Sequence, residues 1–191
     1  VFPKMTLHFD VGRQKSIAAI RAALNTTGEI FLVAQLDAEV ENPEFSDLNK
    51  IGVVAEVKQV IKLPGSETLR VVVEGKYRAT IVETVRTKPI LKAIVAEVNE
   101  KPVRKVDAPY AEALVRTLRD LFDDYAELLP RISPDVEMTV HTEDNIALLT
   151  DYIVSNTILM FEDKQELLSE LNPLKRAEKL CSVLIKETEI L

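Results

Sequence analysis

Two alternating stretches decide the fold of this chain: IGVVAEVKQVIKLPG at Ile51–Gly65 and LRVVVEGKYRATI at Leu69–Ile81. In both, apolar residues recur at every second position, which is the period of a β-strand with one buried face. The dipeptide Pro64-Gly65 is a strong turn signal, so the two stretches are predicted to pair as a long antiparallel hairpin. Gly75 predicts a bulge that bends the small sheet towards closure.

The alternation also assigns a side to each residue of the hairpin. The buried row of the first strand is predicted to contain Val53, Ala55, Val57, Ile61 and Leu63, interrupted only by Gln59. Arg70 and Arg78 of the second strand are expected to face outward, because they alternate with the apolar row.

Shorter elements flank the hairpin. The segment Glu29–Leu36 (EIFLVAQL) is almost continuously apolar, which predicts a strand covered on both faces. Another strand is predicted over Ile90–Val98. Before them, Ile17, Ile20 and Leu24 share one face of a short helix that should cover an open end of the sheet.

The pattern changes after Lys101-Pro102, where the apolar period lengthens to about 3.6 residues, as in helices. The first helix is predicted to end at Pro130, and Ser133-Pro134 reads as a cap followed by proline at the first helical position. Further helices are predicted from about Thr142 to Ser155, from Asp163 to Leu171 and from Pro173 onward; in the last, Leu174, Ala177, Cys181, Leu184 and Ile185 should face inward. We therefore predict an α+β protein: a β-rich pseudo-barrel subdomain with one short helix (residues 1–103), followed by a small α-helical bundle (residues 104–191).

Composition argues against two classes of partner, nucleic acid and membrane. With a net charge of −7, no tryptophan and 5% aromatic residues, the chain offers neither a basic field nor stacking platforms for nucleic acid. No apolar run approaches the roughly 18 residues needed to cross a bilayer, so no membrane partner is expected. Cys181 is the single cysteine and is expected to be a small buried apolar residue in a reducing compartment, which predicts a cytoplasmic protein.

The sequence contains no recognisable catalytic arrangement. His8 and His141 lie in different halves, no nucleophile elbow or phosphate-binding loop is present, and neither histidine has a neighbour at metal-ligand spacing. We predict no catalytic residue, no metal and no cofactor in this chain. A small hydrolase using Asp123-Asp124 is an alternative from another class, although adjacent residues of a helix point in different directions.

Peptide recognition through apolar surface remains open. The opening segment contains Phe2, Pro3, Met5 and Phe9, which form either an exposed binding patch or a strand and connecting loop in the core. The residues that begin the first helix, Arg13, Gln14 and Lys15, could contact a degron peptide or form an ordinary polar face.

Several stretches resemble the amino-terminal domain of Lon-type ATP-dependent proteases. They include VFPKM (Val1–Met5), DVGRQKSI (Asp10–Ile17), FLVAQLDAEVENP (Phe31–Pro43) and the two hairpin stretches, with LTDYIVSN and EDKQELLSELNPLKRAEKL in the helical half. One visible departure is His8, where the family commonly has proline, and Gln14 and Ala18 make the helix start less charged than in relatives.

The resemblance implies a non-catalytic substrate-recognition domain that binds unfolded, damaged or degron-bearing proteins in quality control. The chain begins at Val1 and ends in helical sequence, so we expect a piece of a longer protein. That parent would be an ATP-dependent serine endopeptidase, with ATP and magnesium in an ATPase module absent here. The parent would be a homohexamer, and the isolated piece monomeric or weakly dimeric. A free-standing adaptor without protease activity is the alternative.

Overall fold

The structure, a computed structural model, describes residues 1–190 and divides into two compact units, residues 1–98 and the residues from Asn99 onward. The contact division falls after Val98, whereas the composition change placed the boundary after Val103. Whether the two units are independently folding domains remains a prediction.

The first unit is an open antiparallel sheet with one helix. Its elements are β1 (Thr6–Val11), α1 (Gln14–Leu24), β2 (Glu29–Leu32), β3 (Ile51–Lys62), β4 (Leu69–Arg86) and β5 (Lys92–Glu97), with a short 3₁₀ turn at Phe45–Asp47. The strand order is β1-β4-β3-β2, and β5 pairs with the remaining part of β4. Within residues 1–190, β1 and β2 lie at opposite edges of this strand order and do not pair with each other, so the curved sheet does not close.

Two bulges reset the side-chain alternation of the hairpin. The register shifts between Val54 and Ala55, opposite Gly75 and Tyr77, which confirms the bulge predicted near Gly75. A second shift, between Val57 and Gln59, was not predicted. Each bulge inserts one residue into one strand and turns the following side chains to the other face.

This reset overturns two assignments. Beyond the second bulge Val60 packs against the core and Ile61 is exposed, the reverse of the predicted row. Arg78 follows the first bulge and is buried rather than outward, with its guanidinium 5.6 Å from the centre of the Phe2 ring. Val54, which precedes both shifts in β3, is buried together with Val53 and Ala55, so the prediction that it faces outward is also wrong.

The core of the first unit lies between α1 and one face of the sheet. It consists of Val11, Ile17, Ile20, Ala55, Val57, Leu69, Val71 and Val73. The prediction that Leu24 faces this core is wrong, because Ala23 takes that place and Leu24 is exposed. β2 is only four residues long and half-buried, so the prediction of a strand covered on both faces through Leu36 is also wrong.

The second unit is a helical bundle. It contains α2 (Ala108–Glu127), α3 (Pro134–Thr142), α4 (Ile146–Ser155), α5 (Phe161–Ser169) and α6 (Pro173–Ile190). Ser133 accepts a hydrogen bond from the Asp135 amide and Pro134 occupies the first turn of α3, as predicted. The helix predicted from about Thr142 to Ser155 is α4, which begins only at Ile146 because Asn145 caps it by accepting from the Ala147 and Leu148 amides.

The bundle encloses a buried arginine. Arg176 is fully buried in α6, and its Nη2 donates to Glu100 Oε1 at 2.6 Å while Nη1 donates to the Glu170 carbonyl at 2.9 Å. Its Nε lies 3.3 Å from Asp151 Oδ1. Ile185, predicted to face inward, is instead exposed on the same helix. Taken together, the two units confirm the predicted α+β class.

Candidate binding surfaces

The N-terminal residues form a tight turn against β4. The Lys4 amide donates to the Gly75 carbonyl at 2.7 Å, and the Gly75 amide donates to the Met5 carbonyl at 2.9 Å. Lys4 has a φ of 61°, and the Met5 amide donates to the Phe2 carbonyl at 3.2 Å, which closes the turn. The turn buries the Phe2 side chain, so the Phe2 ring has a core role in this structure.

The seven predicted contact residues do not form one site. Phe2, Pro3 and Met5 lie before β1, whereas Arg13, Gln14 and Lys15 lie after it at the start of α1. A six-residue strand separates the two groups by roughly 16–20 Å. Phe9 lies within that strand and packs against the core. Of the seven residues, only Arg13 and Gln14 are exposed, with Pro3, Met5, Phe9 and Lys15 half-buried.

The start of α1 is joined to the long loop that follows β2. Arg13 Nη1 donates to Gln35 Oε1 at 2.6 Å, and Gln35 Nε2 donates to the Val40 carbonyl at 2.8 Å. Asn49 braces the loop from its far end by donating to the Ala34 carbonyl at 3.1 Å. These side-chain bonds hold an irregular segment in a defined shape.

Leu36 lies in this braced loop and exposes 64% of its surface. We call Arg13, Gln14, Lys15, Gln35 and Leu36 the α1-loop surface. It combines one apolar side chain with cationic and amide groups on a fixed backbone. Gln35 and Leu36 were assigned to a strand from the sequence, and only the Arg13 contact joins Gln35, the neighbour of Leu36, to the start of α1.

The sheet face opposite α1 carries paired charges. Lys58 lies 2.8 Å from Glu56 and 3.3 Å from Glu74, and Lys76 pairs with Glu29. The hydrogen bond from Lys58 lowers the pKa of Glu56 below its ordinary value. Because these charges already have partners, this face offers few free groups to a ligand.

A third surface lies on the ribbon formed by the ends of β4 and β5. Val82, Val85 and Ile94 each expose 50–59% of their surface there. A fourth lies between α4 and α5, where Ile158, Met160 and Phe161 expose 48–77%. Neither was singled out from the sequence, because an apolar residue in a periodic stretch is expected to be buried.

The residues considered for catalysis are dispersed. His141 Nε2 lies 3.0 Å from Asp123 Oδ1 on the surface of the bundle, while Asp124 is exposed. Burial raises the pKa of the Cys181 thiol to about 11, which keeps that half-buried thiol protonated. Between Val1 and Ile190, no three His, Cys, Asp or Glu residues are grouped to hold a metal ion. No helix in that range is long and apolar enough to cross a membrane.

Comparison with known proteins places this chain. It is 39% identical over 191 residues to the Lon protease of Heliobacterium modesticaldum and 40% identical over 190 residues to that of Desulforamulus reducens. Both alignments cover the whole chain but only 23% of the relative, so the chain spans less than a quarter of those proteins.

Two solved structures share the fold. The N-terminal domain of Mycobacterium avium complex Lon protease has a TM-score of 0.75 and 24% identity over 99% of this chain and 92% of that one. The Lon N-terminal domain protein from Xanthomonas campestris has a TM-score of 0.60 and 15% identity over 95% and 91%. The family model of the ATP-dependent protease La (LON) substrate-binding domain matches residues 1–186. The chain therefore belongs to the Lon substrate-binding domain family.

Proposed function

We propose that this chain recognises protein substrates for a Lon-type ATP-dependent serine protease. The observation that carries the proposal is the match of a substrate-binding domain model to residues 1–186, essentially the whole chain. Its substrates would be unfolded, damaged or degron-bearing proteins, which differ from folded proteins chiefly in exposing apolar segments.

We assign first contact with substrate to the α1-loop surface. Leu36 supplies an exposed apolar side chain, and the bond between Arg13 and Gln35 holds the loop in place before a substrate arrives. Preorganised contacts lose less conformational entropy on binding than mobile ones. Gln14 and Lys15 follow Arg13 at the start of α1 and would add polar contacts, whereas the half-buried Met5 would contribute at the opposite end of β1.

The remaining steps would belong to other modules. We propose that hydrolysis of ATP and of peptide bonds takes place in segments of the parent protein that this chain does not contain, with ATP and magnesium bound there. The parent would act as a cytoplasmic homohexamer in protein quality control. Within this chain we assign no catalytic residue and no cofactor.

The proposal can be tested by NMR titration of the 191-residue chain with a permanently unfolded protein and with the folded form of the same protein. We expect the unfolded form alone to shift amide signals around Leu36 and the start of α1. Leu36→Ser should weaken binding about tenfold, because burying the exposed 64% of this leucine contributes about 1–2 kcal/mol and about 1.4 kcal/mol is a tenfold change in affinity.

The matched control is Val106→Ser, which removes an apolar side chain that is 75% exposed in the helical unit. This control should bind like the parent chain. Equal shifts from folded and unfolded protein would contradict the proposal. The absence of shifts from either form would contradict it as well and would favour a spacer or allosteric role.

A further inference from the structure

The ends of β4 and β5 form a two-stranded ribbon. The ladder between β3 and β4 starts at the pair Ile51 and Thr80, so from Ile81 to Arg86 β4 pairs only with β5. In residues 1–190 no other strand pairs with that part of β4. Every residue from Val82 to Arg86 is exposed, whereas Ala93 and Val95 on the paired strand are half-buried.

Two bulges lie within this ribbon. The register steps from Ile81 to Glu83 and from Thr84 to Arg86 while β5 advances by one residue each time, so Val82 and Val85 are the extra residues. Bulges twist an edge strand and discourage the addition of another strand through its backbone. A partner would therefore be bound through side chains.

The ribbon is apolar and basic. Val82, Val85 and Ile94 are exposed, and residues 82–96 contain three basic side chains, Arg86, Lys88 and Lys92, against one acidic side chain, Glu83, which lies opposite Ile94. We call the three apolar and the three basic residues the ribbon surface. Three exposed β-branched residues among cations are unusual on an isolated surface and are typical of a contact region.

The loop between α4 and α5 holds three apolar side chains in exposed positions. The Ile158 amide donates to Tyr125 Oη at 2.9 Å, and the Thr157 hydroxyl donates to the Ile153 carbonyl at 2.8 Å. Tyr125 and Thr157 are both buried, so they hold the loop while Ile158, Met160 and Phe161 project outward. The apolar exposure is thus built into the structure of the bundle.

Acidic side chains are frequent in the segments next to this loop. Residues 120–127, the end of α2 that contains Tyr125, carry four acidic residues and no basic one, and α5 begins with Glu162 and Asp163, followed by Lys164. Asp124, Glu127 and Glu162 are exposed and, together with Ile158, Met160 and Phe161, define the α4–α5 surface. The charge excess extends beyond it, since residues 99–191 hold 19 acidic and 11 basic side chains against 12 and 13 in residues 1–98.

We propose that the ribbon surface of one copy of this chain docks on the α4–α5 surface of a second copy. Each surface presents three exposed apolar side chains and three like charges, and the two charges are opposite. Contact between two ribbon surfaces or two α4–α5 surfaces would instead bring like charges together. The contact is therefore head to tail, a kind of interface that can be repeated around a ring. It does not depend on substrate binding.

The test is a charge-exchange experiment on the 191-residue chain. One variant combines Arg86→Glu, Lys88→Glu and Lys92→Glu, and the other combines Asp124→Lys, Glu127→Lys and Glu162→Lys. Sedimentation velocity should show that the unmutated 191-residue chain associates in a concentration-dependent way and that this association weakens as salt is added. Each variant alone should associate at least about tenfold more weakly. An equimolar mixture of the two should recover association, because each variant retains one intact surface and the reversed surfaces attract each other.

The matched control combines Arg21→Glu, Lys50→Glu and Lys175→Glu, three exposed cations outside both surfaces. It has the same net charge as the ribbon variant and should associate like the parent chain. Circular dichroism checks that every variant is folded.

An unmutated chain that stays monomeric at its solubility limit would overturn the proposal. A mixture that fails to recover association would do the same, as would salt-dependent changes independent of concentration, which indicate contact within one copy.

Discussion

Gly75→Ala should destabilise the first unit through a backbone collision. A Cβ at position 75 would lie 2.2 Å from the Phe2 carbonyl oxygen and 2.9 Å from the Phe2 carbonyl carbon. Neither atom belongs to a side chain that can rotate away. The N-terminal turn would have to leave its place, because β4 is held on both sides by β1 and β3.

The loss in free energy of unfolding follows from the contacts that the released turn gives up. It breaks two backbone hydrogen bonds, each worth about 1 kcal/mol, between position 75 and the turn. It also exposes the Phe2 side chain, whose burial contributes about 1.5–3 kcal/mol. Alanine regains roughly 0.5–1 kcal/mol relative to glycine in a strand. The net loss in free energy of unfolding should therefore be about 2.5–4.5 kcal/mol.

Urea unfolding measures this loss, and NMR shows whether the Phe2 ring becomes solvent-exposed. The matched control is Gly12→Ala, since a Cβ there meets only the Thr68 hydroxyl at an ordinary 3.7 Å. The control should stay within about 0.5 kcal/mol of the parent chain. The reasoning is refuted if Gly75→Ala is as stable as the control, or if it is less stable while the Phe2 ring keeps its native signals.

Three further changes test the helical unit. Tyr125→Phe removes the hydroxyl that accepts from the Ile158 amide and should cost about 1–2 kcal/mol in urea unfolding, with larger amide shifts in the α4–α5 loop than elsewhere. Arg176→Met removes a buried cation between carboxylates and should cost about 3–5 kcal/mol, whereas Lys179→Met breaks an exposed ion pair and should cost under about 1 kcal/mol. Burial raises the pKa of Cys181 to about 11, above the ordinary value of about 8.5 in an unfolded chain. The stability that the folded chain gains by keeping this thiol protonated is fully present below about pH 8.5 and is lost as the pH rises towards 11. The free energy of unfolding should therefore fall with pH across this range, and Cys181→Ala should reduce that slope.

The hairpin could be predicted because its signal is local. Alternation over Ile51–Gly65 and Leu69–Ile81 identifies two strands whatever else the chain does, and Pro64-Gly65 joins them. The same holds for the cap at Ser133, which depends on residues one or two positions away. In the helical half, Asn145 carried the same kind of signal, and recognising it would have moved the predicted start of α4 from about Thr142 to Ile146.

The register shifts could not be predicted in the same way. A bulge is set by how two strands meet, and no glycine or proline between Val53 and Lys62 of β3 marks the shift beside Val57. Its consequence is large, since one inserted residue exchanges Val60 and Ile61 between core and solvent. Arg78 is buried for the corresponding reason after the first bulge. Beyond a bulge, the prediction of which side chains face the core is therefore wrong, whereas the prediction that the segment is a strand remains correct.

The binding surfaces depend on an even less local property, which is where a neighbouring strand begins. Val82 and Val85 continue the apolar pattern of β4 and would be buried if β3 extended further along it. They are exposed because the β3 ladder starts opposite Thr80. Apolar periodicity reports that a residue is suited to contact, and only the fold decides whether that contact comes from the same chain. An apolar residue that the fold leaves exposed beside charged groups is therefore the position at which to look for a partner.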